Sequence, residues 1–99
     1  MAVSKTDYQI EVINRVRTLR MKRECSQQQM AQLLGITNGS VGNIESLHYG
    51  NKYTLRQLSK IAKHFGVPIE SFFMATHDEA ITLHECIDRI CEYMEGEGK

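Results

Sequence analysis

Five residues between positions 31 and 44 constrain this chain more than any other feature: Ala31, Gly35, Ile36, Val41 and Ile44. A small side chain at Ala31 lets a following helix approach the one that carries it. Gly35 supplies a left-handed turn that other residues adopt only at a cost. Ile36 plugs the core beneath that turn, and Val41 and Ile44 anchor the next helix from below. Together these spacings hold two short helices at a steep angle.

The rest of the chain also reads as helix. There is one proline, Pro68, and no alternating apolar and polar run of strand length. Val12, Val16, Leu19 and Arg23 share a stripe that predicts a first helix from about Asp7 to about Glu24. Ser26 and Gln29 form a capping box for the second, which carries Met30, Leu33 and Leu34 and stops at Gly35. Thr37 caps a short third helix, and residues 46–53 are a loop. Thr54 caps a fourth helix with Leu55, Leu58, Ile61, Ala62 and Phe65 on its apolar face, ended by Gly66. Pro68, at a first-turn position, precedes a short fifth helix with Ile69, Phe72 and Phe73. A final helix, capped by Thr76 or Asp78, extends to about Met94.

Ninety-nine residues make one domain, and the net charge of zero hides an asymmetry. Residues 1–65 hold ten lysines and arginines against four acids, hence +6. Residues 66–99 hold two bases against eight acids, hence −6. A basic body with an acidic tail predicts a polyanion partner for the first part alone, against the plainer reading of solvated charged faces. No apolar run reaches the ~20 residues that span a bilayer, so no membrane role is expected. Met1 to Lys5 lack a signal-peptide core. Three cysteines, Cys25, Cys86 and Cys91, are too few for a disulfide scaffold, which fits a reducing cytoplasm.

The run Ser26-Gln27-Gln28-Gln29-Met30-Ala31-Gln32-Leu33-Leu34-Gly35-Ile36, followed by Val41-Gly42-Asn43-Ile44-Glu45, resembles the phage-repressor and Cro-like (XRE-type) helix-turn-helix family. Leu55-Arg56-Gln57-Leu58-Ser59-Lys60-Ile61-Ala62 and Phe65-Gly66-Val67-Pro68 extend the match. Each piece alone is weak, but the four in order are specific. The resemblance covers residues 9–74, with 1–8 as an N-terminal segment and 75–99 as a C-terminal helix and tail. It implies an all-α fold: a five-helix lambda-repressor-like DNA-binding domain, here with an additional C-terminal helix. It also implies a transcriptional regulator that binds double-stranded DNA as a homodimer, most simply a repressor on a palindromic operator.

The resemblance carries roles onto single residues. Asn38, Ser40 and Asn43 match base-reading positions on the third helix, and asparagine can pair bidentately with adenine. A solvated polar face is the alternative. Gln27 matches a phosphate-contacting glutamine, with a plain capping role as its alternative. Thr37 is a backbone contact or only a cap. Asn51, Lys52, Tyr53 and Arg56 fall where family members grip the sugar-phosphate backbone, or else in a solvated loop. Arg20 and Glu45 match an internal salt bridge. Three positions depart from the family, the two glycines of the third helix, Gly39 and Gly42, and Tyr53 in the loop. Gly39 stands where a base-reading side chain is common, so readout must come from its neighbours or from a close backbone approach. Tyr53 replaces a common proline.

Ala80, Leu83, Ile87, Ile90 and Met94 recur at spacings of three and four, a short heptad seam. It predicts a dimer interface, with packing onto the domain's own core as the alternative. His77, His84, Cys86 and Cys91 match no zinc spacing, so no metal or cofactor is expected. No nucleophile, base and orienting group come together in the sequence, which argues against an enzyme. The size also suits an antitoxin or a restriction controller, with a toxin or an anti-repressor as partner protein. The competing class is an interaction module on the same fold that binds no DNA.

Overall fold

The computed structural model describes residues 5–73 and 83–95. They form helix α1 (Asp7–Lys22), α2 (Gln27–Leu34), α3 (Asn38–Glu45), α4 (Leu55–Phe65), a 3-10 turn (Ile69–Phe72) and α5 (Leu83–Glu95). No strand occurs among the described residues. Thr76, Asp78 and Ala80, invoked above for the cap and seam of the last helix, lie outside them.

Local chemistry sets most boundaries. Thr6, Ser26 and Thr54 each accept the backbone N–H three residues on, while Gln9, Gln29 and Gln57 reach back to the cap's own N–H. These reciprocal capping boxes satisfy donors that have no partner within the helix. Gly35 ends α2 at φ 70°, in the left-handed region, and its N–H and that of Ile36 close back on α2. Helix α1 stops two residues earlier than the stripe suggests, because Glu24 takes φ 56° and turns the chain toward α2. The expected fifth helix is a four-residue 3-10 turn, too short for an α ladder, and Pro68 stands at its N-cap rather than within its first turn.

The apolar stripes meet in one core. Val12, Ile13 and Val16 of α1, Met30, Ala31 and Leu34 of α2, and Val41 and Ile44 of α3 are buried with Leu58, Ile61, Ala62 and Phe65 of α4. Full burial of each large side chain contributes about 1.5–3 kcal/mol. Phe72, Phe73 and Tyr93 complete the core, with Tyr93 edge-on to Phe73 at 5.8 Å between ring centroids.

Helix α5 docks through a line made of Cys86, Arg89 and Tyr93. Tyr93 is fully buried, its hydroxyl donates to the Tyr53 carbonyl at 2.8 Å, and its own carbonyl accepts from Gln9 Nε2 at 2.8 Å. Arg89 reaches the Phe73 carbonyl. At 100° per residue, Leu83, Ile87 and Met94 lie about a quarter turn away from this line. They are accordingly exposed, at 78%, 47% and 44%. Ile90 sits between the two directions, half-buried against the core. The heptad seam is therefore split, with Ile90 leaning inward and its neighbours facing solvent.

Candidate nucleic-acid interface

Helix α3 is amphipathic in an unusual way. Val41 and Ile44 face the core, and Gly39 lies on the opposite side. Asn38 is exposed, and Ser40 and Asn43 are half-exposed beside it. A Cβ added at Gly39 would meet nothing within 4 Å, so nothing in the fold requires a glycine there. The exposed face is thus polar, poor in side chains, and open to another molecule.

The start of α3 is tied locally. Thr37 Oγ1 accepts from the Ser40 N–H at 3.1 Å, and the Thr37 and Ser40 hydroxyls share a hydrogen bond of 2.8 Å. Thr37 therefore caps the helix while its side chain stays exposed.

The far end of α3 is held by charge. Glu45, with only 5% of its side chain exposed, accepts from Arg20 Nε at 2.8 Å and from the Arg20 terminal nitrogen at 3.0 Å. This two-point pair ties α1 to α3. Arg20 also donates to the Cys25 carbonyl, fixing the α1–α2 turn. Gln27 gives its side-chain N–H to Glu45 at 3.0 Å, so its amide is engaged within the protein. The first N–H groups of α2 have no partner inside the helix and remain suited to an anion.

The loop after α3 is pinned from both ends of the chain. Lys5 Nζ donates to the carbonyls of Ser46 at 2.5 Å and Tyr49 at 2.6 Å, and lies 3.5 Å from that of Asn43. Burial pulls its pKa below the usual lysine value. The Tyr93 hydroxyl takes the Tyr53 carbonyl at the other end of the loop. Sequence reasoning missed both contacts, which join residues about forty positions apart.

Of the expected backbone-gripping residues, Asn51 and Arg56 are exposed and Lys52 is half-exposed. Arg56 continues along α4 into exposed Lys60 and Lys63, at spacings of four and three that place all three on one face. Tyr53 requires a correction. Its side chain is fully buried, and burial raises its pKa far above the tyrosine norm, so the phenol cannot touch a phosphate. The reason was readable: Tyr53 precedes the Thr54 cap, and Leu58 sits at the matching position inside α4. That is the spacing of a hydrophobic staple, and both residues belong to the core.

Charge divides the molecule. The acids of α5, Glu85, Asp88, Glu92 and Glu95, are exposed. Burial, with Glu70 nearby, pushes the Cys86 thiol up, which opposes a reactive thiolate. Among the described residues, no group of three or more His, Cys, Asp or Glu could hold a metal ion. None of the described helices is long and apolar enough to cross a membrane.

Comparison with known proteins agrees with this geometry. No curated protein matches the sequence. A family model described as helix-turn-helix matches residues 16–72, from the middle of α1 through the 3-10 turn and so more than half of the chain. The protein belongs to the XRE-type helix-turn-helix family of DNA-binding domains.

Proposed function

We propose that this protein is a cytoplasmic, sequence-specific transcriptional repressor that binds a palindromic operator as a homodimer. The observation that carries the reading is the outer face of α3, where Asn38, Ser40 and Asn43 surround a helix surface bare of bulky side chains. A helix with its other face locked in a core can enter the major groove without rearrangement. Asn38 and Asn43 read adenine edges, with Ser40 beside them. Thr37, Asn51, Lys52 and Arg56 set the register on the phosphates, together with the backbone N–H groups at Gln27 that open α2. In this reading residues 9–74 are the DNA-binding unit.

Asn43→Ala is expected to weaken specific binding by about 1–3 kcal/mol, the value of one bidentate base contact, and to spare random DNA. Fluorescence anisotropy on a selected operator and a scrambled duplex checks this. Equal losses on both would remove Asn43 from base readout.

Pairing is assigned to the exposed stripe Leu83, Ile87 and Met94, on a helix whose acids would keep it away from DNA. Leu83→Asp combined with Ile87→Asp is expected to give monomers in analytical ultracentrifugation with a native thermal transition. These two positions separate pairing from folding because neither side chain belongs to the core. A double variant that stays dimeric would place the interface elsewhere and leave the stripe to a partner protein such as a toxin or an anti-repressor.

A further inference from the structure

Two donors far apart in the chain hold the loop between α3 and α4. Lys5 Nζ donates to the carbonyls of Ser46 and Tyr49, at 2.5 and 2.6 Å, and the Tyr93 hydroxyl donates to that of Tyr53 at 2.8 Å. Residues 50–52 lie between these anchors, and two of them, Asn51 and Lys52, are the loop's proposed phosphate contacts. One side chain joins the anchors. Gln9, only 2% exposed, accepts the Thr6 N–H at 3.0 Å, next to Lys5, and donates to the Tyr93 carbonyl at 2.8 Å. An ammonium taken out of water is costly unless it is hydrogen-bonded. Lys5 is 7% exposed and meets carbonyls at the C-terminal end of α3, the negative pole of that helix. Lys5, Gln9 and Tyr93 all lie outside residues 16–72, the part of the chain shared with the family.

We propose that Lys5, Gln9 and Tyr93 form one clamp of positioning residues that presets the loop 46–53 for the sugar-phosphate backbone, so that the grip on DNA depends on the N-terminal segment and on α5. The inference rests on the DNA-binding reading of α3 and extends it to residues that touch no DNA. A loop fixed beforehand loses little conformational entropy when a phosphate arrives, whereas a loose one must be ordered at that moment. Loosening either anchor therefore weakens binding without removing a contact from the complex. Helix α3 keeps its own anchors, Val41 and Ile44, so the preference for operator over random DNA stays.

Titration of operator and random duplex at several salt concentrations, well below the thermal midpoint, tests this with the full chain. Lys5→Met is expected to lower both affinities about tenfold, the order of magnitude for fixing one backbone residue. The log–log salt slope should stay at the parent value, since the same phosphates are contacted. NMR order parameters of residues 50–52 should fall from about 0.85 toward about 0.6 in the free variant and recover in the complex. Tyr93→Phe, which keeps the ring, should reproduce both effects from the other anchor, and it carries the test if Lys5→Met fails to fold. A slope lowered by about 0.9 in Lys5→Met means that Lys5 itself meets a phosphate, which overturns the assignment. So does a lowered thermal midpoint with unchanged affinity, the mark of a purely structural contact. A specific loss in Asn43→Ala beside unchanged affinity in both clamp variants would keep α3 as the reader and remove the clamp. A parent protein with no salt-dependent duplex binding overturns both readings together.

Discussion

Glu45→Ala is expected to destabilise the protein by about 3–5 kcal/mol, the cost of leaving a buried partner charge unpaired. The Arg20 side chain is only 10% exposed, so solvent cannot replace the missing carboxylate. Gln27 loses its acceptor at the same time, and α3 loses its tie to α1. A small domain has ~5–15 kcal/mol in total, so this change brings it close to unfolding at growth temperature. Urea denaturation checks it: the midpoint should fall steeply while the slope stays constant. Glu45→Gln keeps an acceptor without the charge and should fall between. A loss below about 1 kcal/mol would show that the pair behaves as an exposed one.

Tyr93→Ala is the second large effect, at about 3–5 kcal/mol for removing a buried ring from the core. The ring fills space against Phe73, and its hydroxyl satisfies the buried Tyr53 carbonyl. The loss should appear as a thermal midpoint lowered by more than about 10 °C, given roughly 4–8 °C per kcal/mol in a domain of this size. Hydrogen exchange should show α5 losing protection first, because Tyr93 is its deepest anchor. An unchanged midpoint would mean that α5 does not belong to this core. Tyr93→Phe removes only the hydroxyl and should cost about 1–3 kcal/mol, the penalty for an unsatisfied buried carbonyl.

The two variants separate what was readable from what was not. Arg20 and Glu45 stand out in the sequence only through family resemblance, since nothing in their spacing of 25 residues announces a contact. Tyr93 is absent from the heptad seam, which runs through Ala80, Leu83, Ile87, Ile90 and Met94. A seam of aliphatic residues and a face led by one tyrosine compete on the same helix. Periodicity favours the aliphatic one, yet the core took the tyrosine because Phe73, Gln9 and the Tyr53 carbonyl offer both a flat apolar surface and polar partners.

The sequence by itself determined the four helices α1 to α4 and the turn between α2 and α3. Caps at Ser26, Thr37 and Thr54 and left-handed ends at Gly35 and Gly66 act over three or four residues, so their physics is local. Val41 and Ile44 likewise set the outward face of α3 through helical periodicity alone. Tertiary structure decided which polar groups meet across the chain. Lys5 reaches the carbonyls of Ser46 and Tyr49, and Gln9 reaches Tyr93 across 84 positions. Buried carbonyls must find donors, and which donor is near depends on how distant segments pack, which no short window of residues can specify.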